Sequence, residues 1–215
     1  LINGFPQVFF EGCASGGCRF DPGMLYYFPQ VWASDNSDAY LRTIIQYGTS
    51  YCYPLATQSC HVSVCPNHQS GRVTPFSSRA VAQLGAMGYE LDPAKLSAGE
   101  VSAIKAQIAR YKEIETLVLS GDLYRLNNPL EENLFAEMLV SKDKKFAVLT
   151  MMKPIYLPND KACRVYPDGL DENEAYEIPE LDLRLRGDVI MRCGLLIGGL
   201  WGDFSTRTLT FKAQR

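Results

Sequence analysis

The order of apolar and polar positions divides the chain in two. In the first half, residues 8–11 form a continuous apolar run, the pattern of a parallel strand buried on both faces. Residues 13–17 are too small and Gly-rich to continue it, so a turn is expected there. Residues 22–28 read as a short helical segment closed by Pro29, and residues 30–33 as the next strand, ending at Ser34-Asp35-Asn36. Helical spacing of Tyr40, Leu41, Ile44, Ile45 and Tyr47 predicts a helix over residues 38–51. Two apolar runs, each ending in small polar residues and followed by a helix, are the pattern of two neighbouring barrel strands. The C-terminal ends of such strands are where barrel enzymes carry their chemistry.

Residues 54–75 read as a polar, Pro-containing connection, and loops of that length are either functional or disordered. Residues 77–88 read as a helix. Ser97-Ala-Gly-Glu100 is a capping box, and it opens the clearest helix, residues 98–119, with Val101, Ile104, Ile108, Tyr111, Ile114 and Leu117 on one face. Beyond Ser120 the period changes. Short alternating segments at 123–126, 134–140, 146–152, 162–166, 175–178, 181–185 and 206–212 are separated by turn residues, which suggests an antiparallel sandwich. The expected division is therefore residues 1–119 and residues 120–215.

Composition narrows the class. The chain has 215 residues, of which 47% are hydrophobic and 21% charged, with a formal net charge of −3. This is long enough for a substantial core. A slightly acidic chain without a Lys/Arg run gives no reason to expect nucleic acid or an anionic membrane as partner, and no apolar stretch reaches the roughly 20 residues of a membrane span. The seven cysteines are odd in number and are not spaced like a secreted scaffold, so a reducing, cytoplasmic setting is expected. The opening residues, without an initiator Met, read as a piece of something longer.

Four groups of residues carry candidate chemistry. Asp35 stands just past a strand, beside Trp32 and Asn36. A carboxyl against an aromatic wall suits a general acid, whereas on pattern alone Asp35, Ser37 or Asp38 would cap the next helix. The Gly-rich loop after Cys13 is either an ordinary turn or, less often, a phosphate cradle. Cys60, His61, Cys65 and His68, with Cys13 and Cys18, could surround a zinc ion, but the gap between Cys60 and Cys65 is loose for a knuckle; no metal is expected. Trp201 is either a sugar-stacking platform or packing, and packing is the commoner use.

Taken together, Trp32-Ala-Ser-Asp-Asn-Ser-Asp38 and Cys13-Ala-Ser-Gly16 with Gly17, Arg19, Phe20 and Asp21 resemble segments of the retaining α-galactosidases of glycoside hydrolase family 36. So do residues 42–50, 61–75, 85–92 and 202–204. The resemblance covers nearly the whole chain. It departs from the family at Cys18, where Gly is expected, and at Ala14, where Ser is. It implies the C-terminal portion of a (β/α)8 TIM barrel followed by a small antiparallel β-sandwich, an α/β plus all-β chain. It implies Asp35 as the acid/base, and Cys13, Gly16 and Trp32 as residues lining a galactose site. It implies no cofactor, since carboxylates and hydroxyl hydrogen bonds serve the oxocarbenium-like transition state. Homo-oligomers are expected from the same resemblance.

One expected motif is missing. The family's nucleophile lies in a Lys-Trp-Asp segment on an earlier barrel strand, and this chain contains no such tripeptide. Retaining glycosidases need two carboxylates, so the chain is expected to be inactive alone and to need the remainder of the enzyme as its partner. Two other functions stay open at this point: a non-catalytic carbohydrate-binding or interaction module, and a galactosyl-transferring relative of the raffinose or stachyose synthase type.

Overall fold

The computed structural model describes all residues except 14–17, 19, 160, 161, 214 and 215. Its first half is a parallel sheet of four strands in sequential order: β1 (Glu11–Cys13), β2 (Gln30–Trp32), β3 (Gln58–Ser63) and β4 (Ala86–Glu90). Between them lie α1 (Pro22–Leu25), α2 (Ala39–Thr49) and a 3₁₀ segment, Phe76–Gln83. The long helix α3 (Ala98–Ser120) follows β4, and its capping box is formed on both sides, Ser97 to Glu100 and back. No helix among the described residues is long and apolar enough to cross a membrane.

The sheet has four strands where two were expected, and the difference has a physical source. Strand side chains alternate between faces. On β3 only Cys60 and Val62 are apolar, and they point to the helix-covered side with Phe76, Met87, Tyr89 and Leu91. Ser59, His61 and Ser63 point the other way, so the strand carries little apolar signal and reads as part of a loop. β4 is masked differently. Its Gly88 lies against the His61 ring, where a Cβ would come within 2.7 Å of Cδ2, and the segment reads as the end of a helix. At β1 the error is one of register. Pairing with β2 spans Glu11 to Cys13, and Val8 and Phe9 of the apolar run stay exposed beside this edge strand.

The second half is antiparallel. Strands β5 (Asp122–Arg125), β6 (Phe135–Val140), β7 (Phe146–Lys153), β9 (Ala175–Ile178), β10 (Leu183–Arg186) and β12 (Ser205–Ala213) form a six-stranded sheet in the order β10-β9-β12-β7-β6-β5. β8 (Ala162–Val165) pairs with β11 (Leu195–Gly198), and a short helix α4 (Gly187–Cys193) precedes β11. β11 escaped the pattern reading because Leu195-Leu-Ile-Gly198 does not alternate.

Period-two alternation gives the large sheet two apolar faces. Ala136, Met138, Val140, Leu149 and Met151 pack with Val165, Ile190 and Ile197. Phe135, Leu139, Val148 and Met152 pack with Tyr47 of α2, Val81 and Leu84, and Ile114, Leu117 and Val118 of α3. The sheet is thus sandwiched, and its second face docks on the helices of the parallel half. Only the C-terminal third of the apolar stripe on α3 is buried there; Val101 and Ile108 are exposed. Trp201 is not part of this chain's core: it is 63% exposed and leans on Tyr156, with ring centroids 5.7 Å apart.

Candidate active site

The C-terminal ends of β1 and β2 lie side by side, because the parallel register pairs Cys13 with Trp32, and Trp32 with Ser59. Alternation then aligns Glu11 and Cys13, Gln30 and Trp32, Ser59 and His61, and Gly88 and Glu90 on the face away from the helices. This face is polar and internally bonded. Gln30 Nε2 donates to Ser59 Oγ at 3.0 Å, and Ser59 Oγ donates to Glu11 Oε1 at 2.7 Å. The His61 ring stacks on Trp32, centroids 4.4 Å apart and 30° from parallel. Burial pushes the His61 imidazole below its ordinary range, outweighing the nearby Glu11 and Glu90, so it is neutral at neutral pH. Cys60 and His61 are neighbours in sequence but face opposite sides of β3, which separates two members of the zinc set weighed above. Among the described residues no three His, Cys, Asp or Glu side chains converge as a metal site would require.

Asp35 lies three residues beyond the end of β2, exposed, and among the described residues no hydrogen bond reaches its carboxylate. The cap of α2 is Asp38 instead. Its Oδ1 accepts from the backbone N–H groups of Tyr40 and Leu41, each at 3.0 Å. Its Oδ2 accepts from Ser70 Oγ and, at 2.9 Å, from Arg72 Nε. Burial alone would raise the Asp38 carboxyl; the bonds from Ser70 and Leu41 and the Arg72 guanidinium hold it below its usual range. The loop between Trp32 and Asp38 is tied down on both sides of Asp35. Ser34 Oγ accepts from Asn36 N–H, and Asn36 Oδ1 accepts from Asp38 N–H.

Of the other anticipated site residues, Cys13 is exposed at the end of β1. Trp32 is only 8% exposed, covered by His61 and by the Arg42 guanidinium, whose carbon sits 4.0 Å from the ring centroid. It therefore backs the site and does not offer an open face. Gly16 lies outside the described residues. His61 was expected to border the barrel mouth, and Arg42 was missed as a neighbour of the site. His61 was assigned to a loop, and Arg42 sits on a helix whose apolar stripe pointed elsewhere. The face of α2 that is buried is Ala39, Arg42, Thr43, Gln46 and Tyr47, largely polar, so the periodicity of Leu41, Ile44 and Ile45 gave no signal for it.

Asp35, just past the end of β2, and the exposed Cys13, at the end of the neighbouring β1, are residues the motifs singled out, and comparison with known proteins settles the family. Residues 1–121 match the melibiase family model, more than half the chain. The chain belongs to the melibiase family. Residues 135–211 match the glycosyl hydrolase family 36 C-terminal domain. Among curated relatives, the chain is 44% identical over 214 residues to alpha-galactosidase AgaA of Geobacillus stearothermophilus, covering 99% of this chain and 29% of that enzyme. It is 42% identical to the bifunctional alpha-galactosidase/sucrose kinase AgaSK of Mediterraneibacter gnavus, over 91% of this chain and 21% of that protein. Among solved structures, an AgaA variant in complex with raffinose superposes with a TM-score of 0.96 at 42% identity, over 99% of this chain and 30% of that one. The chain spans less than a third of these relatives, and its second half matches the C-terminal domain of the galactosidase family. Its parallel sheet is the end of a (β/α)8 barrel, and the antiparallel half is the β-sandwich that follows.

Proposed function

We propose that the chain is the C-terminal part of a retaining α-galactosidase, with residues 1–119 completing the catalytic barrel and residues 120–215 forming the domain behind it. Asp35 is the general acid/base in this reading. As the acid it protonates the glycosidic oxygen while a carboxylate outside this chain attacks the anomeric carbon. As the carboxylate it then takes a proton from the water that releases galactose. Cys13, Gly16 and Trp32 shape the sugar site. The substrate class is terminal α-galactosides, and no cofactor is required. Raffinose bound to a close structural relative supports that class.

One observation carries the assignment of Asp35: its carboxylate is unengaged while Asp38 performs the capping that Asp35 could otherwise have done. The sheet edges β1 and β4, and the exposed Phe5, Val8 and Phe9 beside β1, support contact with further barrel strands of the same enzyme. The exposed thiols of Cys13, Cys52 and Cys193 suit a reducing, cytoplasmic setting.

The test is Asp35→Ala in the full-length polypeptide carrying this chain. General acid catalysis contributes about 10²–10⁴-fold. The variant should lose that much kcat/KM on raffinose but far less kcat/KM on 2,4-dinitrophenyl α-galactoside, whose leaving group departs unprotonated, while kcat on the activated substrate falls because the water step loses its base. Retention of raffinose hydrolysis within a few-fold would remove Asp35 from the mechanism. Turnover of a nitrophenyl α-galactoside by the 215-residue chain alone, abolished by Asp35→Asn, would refute the assignment of the nucleophile to another segment.

A further inference from the structure

The Arg42 side chain is 1% exposed. Burying a guanidinium is costly, and an aliphatic side chain of similar volume fills such a space at lower cost. Arg42 does two things an aliphatic group cannot. Its NH2 donates to the carbonyl of Ser34 at 2.7 Å, and its cationic plane covers the Trp32 indole, carbon to ring centroid 4.0 Å. Ser34 and Trp32 are the residue immediately before Asp35 and the last residue of β2. Beyond Asp35, Asn36 is fixed by Ser34 and by Asp38. The Asp35 carboxylate is therefore the free point of a loop held at both ends, and Arg42 holds the strand side.

The rest of the guanidinium is not used up in structure. Nε and NH1 are buried and have no hydrogen-bond partner, an uncommon state for buried donors. Burial lowers the affinity of this guanidinium for its proton, and the fields of Cys60, Glu90 and Asp35 oppose that. We propose, on the reading that Asp35 is the general acid, that Arg42 is a positioning residue: it fixes the Asp35 loop so that the carboxyl meets the leaving oxygen. Misplacement of a proton donor by about 1 Å costs on the order of 10²-fold in rate, while the scaffold itself can tolerate it.

The experiment compares Arg42→Met and Arg42→Lys with Asp35→Ala in the full-length polypeptide, on raffinose and on 2,4-dinitrophenyl α-galactoside. Arg42→Met should lower kcat/KM on raffinose by about 10–10²-fold, with KM changed less than about threefold, and should lower kcat/KM on the activated substrate only a few-fold. Arg42→Lys keeps the charge and a single donor nitrogen but not the planar fork, so its loss should have the same leaving-group dependence and be smaller. If Arg42→Met does not fold, the Lys variant alone carries the comparison. Equal losses on both substrates, with Asp35→Ala still selective for the poor leaving group, overturn the positioning role and leave the acid assignment standing. An Asp35→Ala variant without leaving-group dependence overturns the acid assignment itself.

Discussion

Glu137 is the side chain most out of keeping with its surroundings, and its titration can be turned into a measurement of how the two halves dock. It lies on β6 between Phe135 and Leu139 and is 0% exposed, on the sheet face that packs against α2 and α3. Neither carboxylate oxygen has a hydrogen-bond partner. Arg125 sits directly opposite in the β5–β6 pair, but its guanidinium is directed at Ser50, Nε to Oγ at 2.7 Å and NH2 to the carbonyl, and lies over the Tyr51 ring. Burial therefore wins over the opposing field of Arg125, and the Glu137 carboxyl is raised from 4.5 to about 8.

A folded-state value above the unfolded one means that the folded protein holds the proton more tightly. The stabilisation is complete below about pH 4.5 and is lost as the pH rises through about 8. At roughly 1.4 kcal/mol per pH unit between those values, the full loss is on the order of 5 kcal/mol, comparable to the whole stability of a small domain. Glu137→Gln keeps the shape and removes the titration. Its amide introduces donors that also need partners, at a cost that does not vary with pH, so the diagnostic is the slope and not the absolute stability. Urea-unfolding midpoints measured from pH 5 to pH 9 should fall steeply for the parent chain and much less for the variant, with the curves converging or crossing at the alkaline end. Parallel curves would show that Glu137 is either hydrated or ion-paired, and the argument from burial would be wrong.

Two further substitutions test the supports of the site and of the sandwich. Asp38→Ala removes the α2 cap and strands Arg72 and Ser70, and should cost about 2–3 kcal/mol in unfolding experiments. Because the Asp38 carboxyl is held below its usual range, the deficit should shrink as the pH falls toward 3; a deficit that stays constant with pH would mean that the ionised form is not what matters. Gly169→Ala places a Cβ into the Tyr124 ring at a φ of +81°, and thermal denaturation should show a loss of about 2–4 kcal/mol. A loss below 1 kcal/mol would mean that Tyr124 moves aside freely.

How much was legible in advance depended on which face of each element met apolar neighbours. The 175–178 strand and the alternation of β6 and β7 lie against ordinary hydrophobic cores, the capping box of α3 is a local motif at an exposed helix start, and pattern reading found them all. The Asp35 loop was found by its motif. The strand bearing His61 was not found, because β3 turns Ser59, His61 and Ser63 toward the polar interior of a barrel end and keeps only Cys60 and Val62 for the core. Arg42 was missed for the mirror-image reason. A charged residue on an amphipathic helix is expected to face water, yet α2 is wedged between the parallel sheet and the antiparallel domain, and its polar side is the buried one. Both omissions fall within reach of Trp32, where the indole is covered by an imidazole and a guanidinium instead of by aliphatic groups. Local conflict between pattern and burial is expected where a fold carries chemistry. Here the conflict is concentrated around one aromatic ring, three residues from the carboxyl that the motif singled out. That coincidence makes the charge at position 42 and the neutral ring at position 61 informative places to perturb the site without touching Asp35 itself.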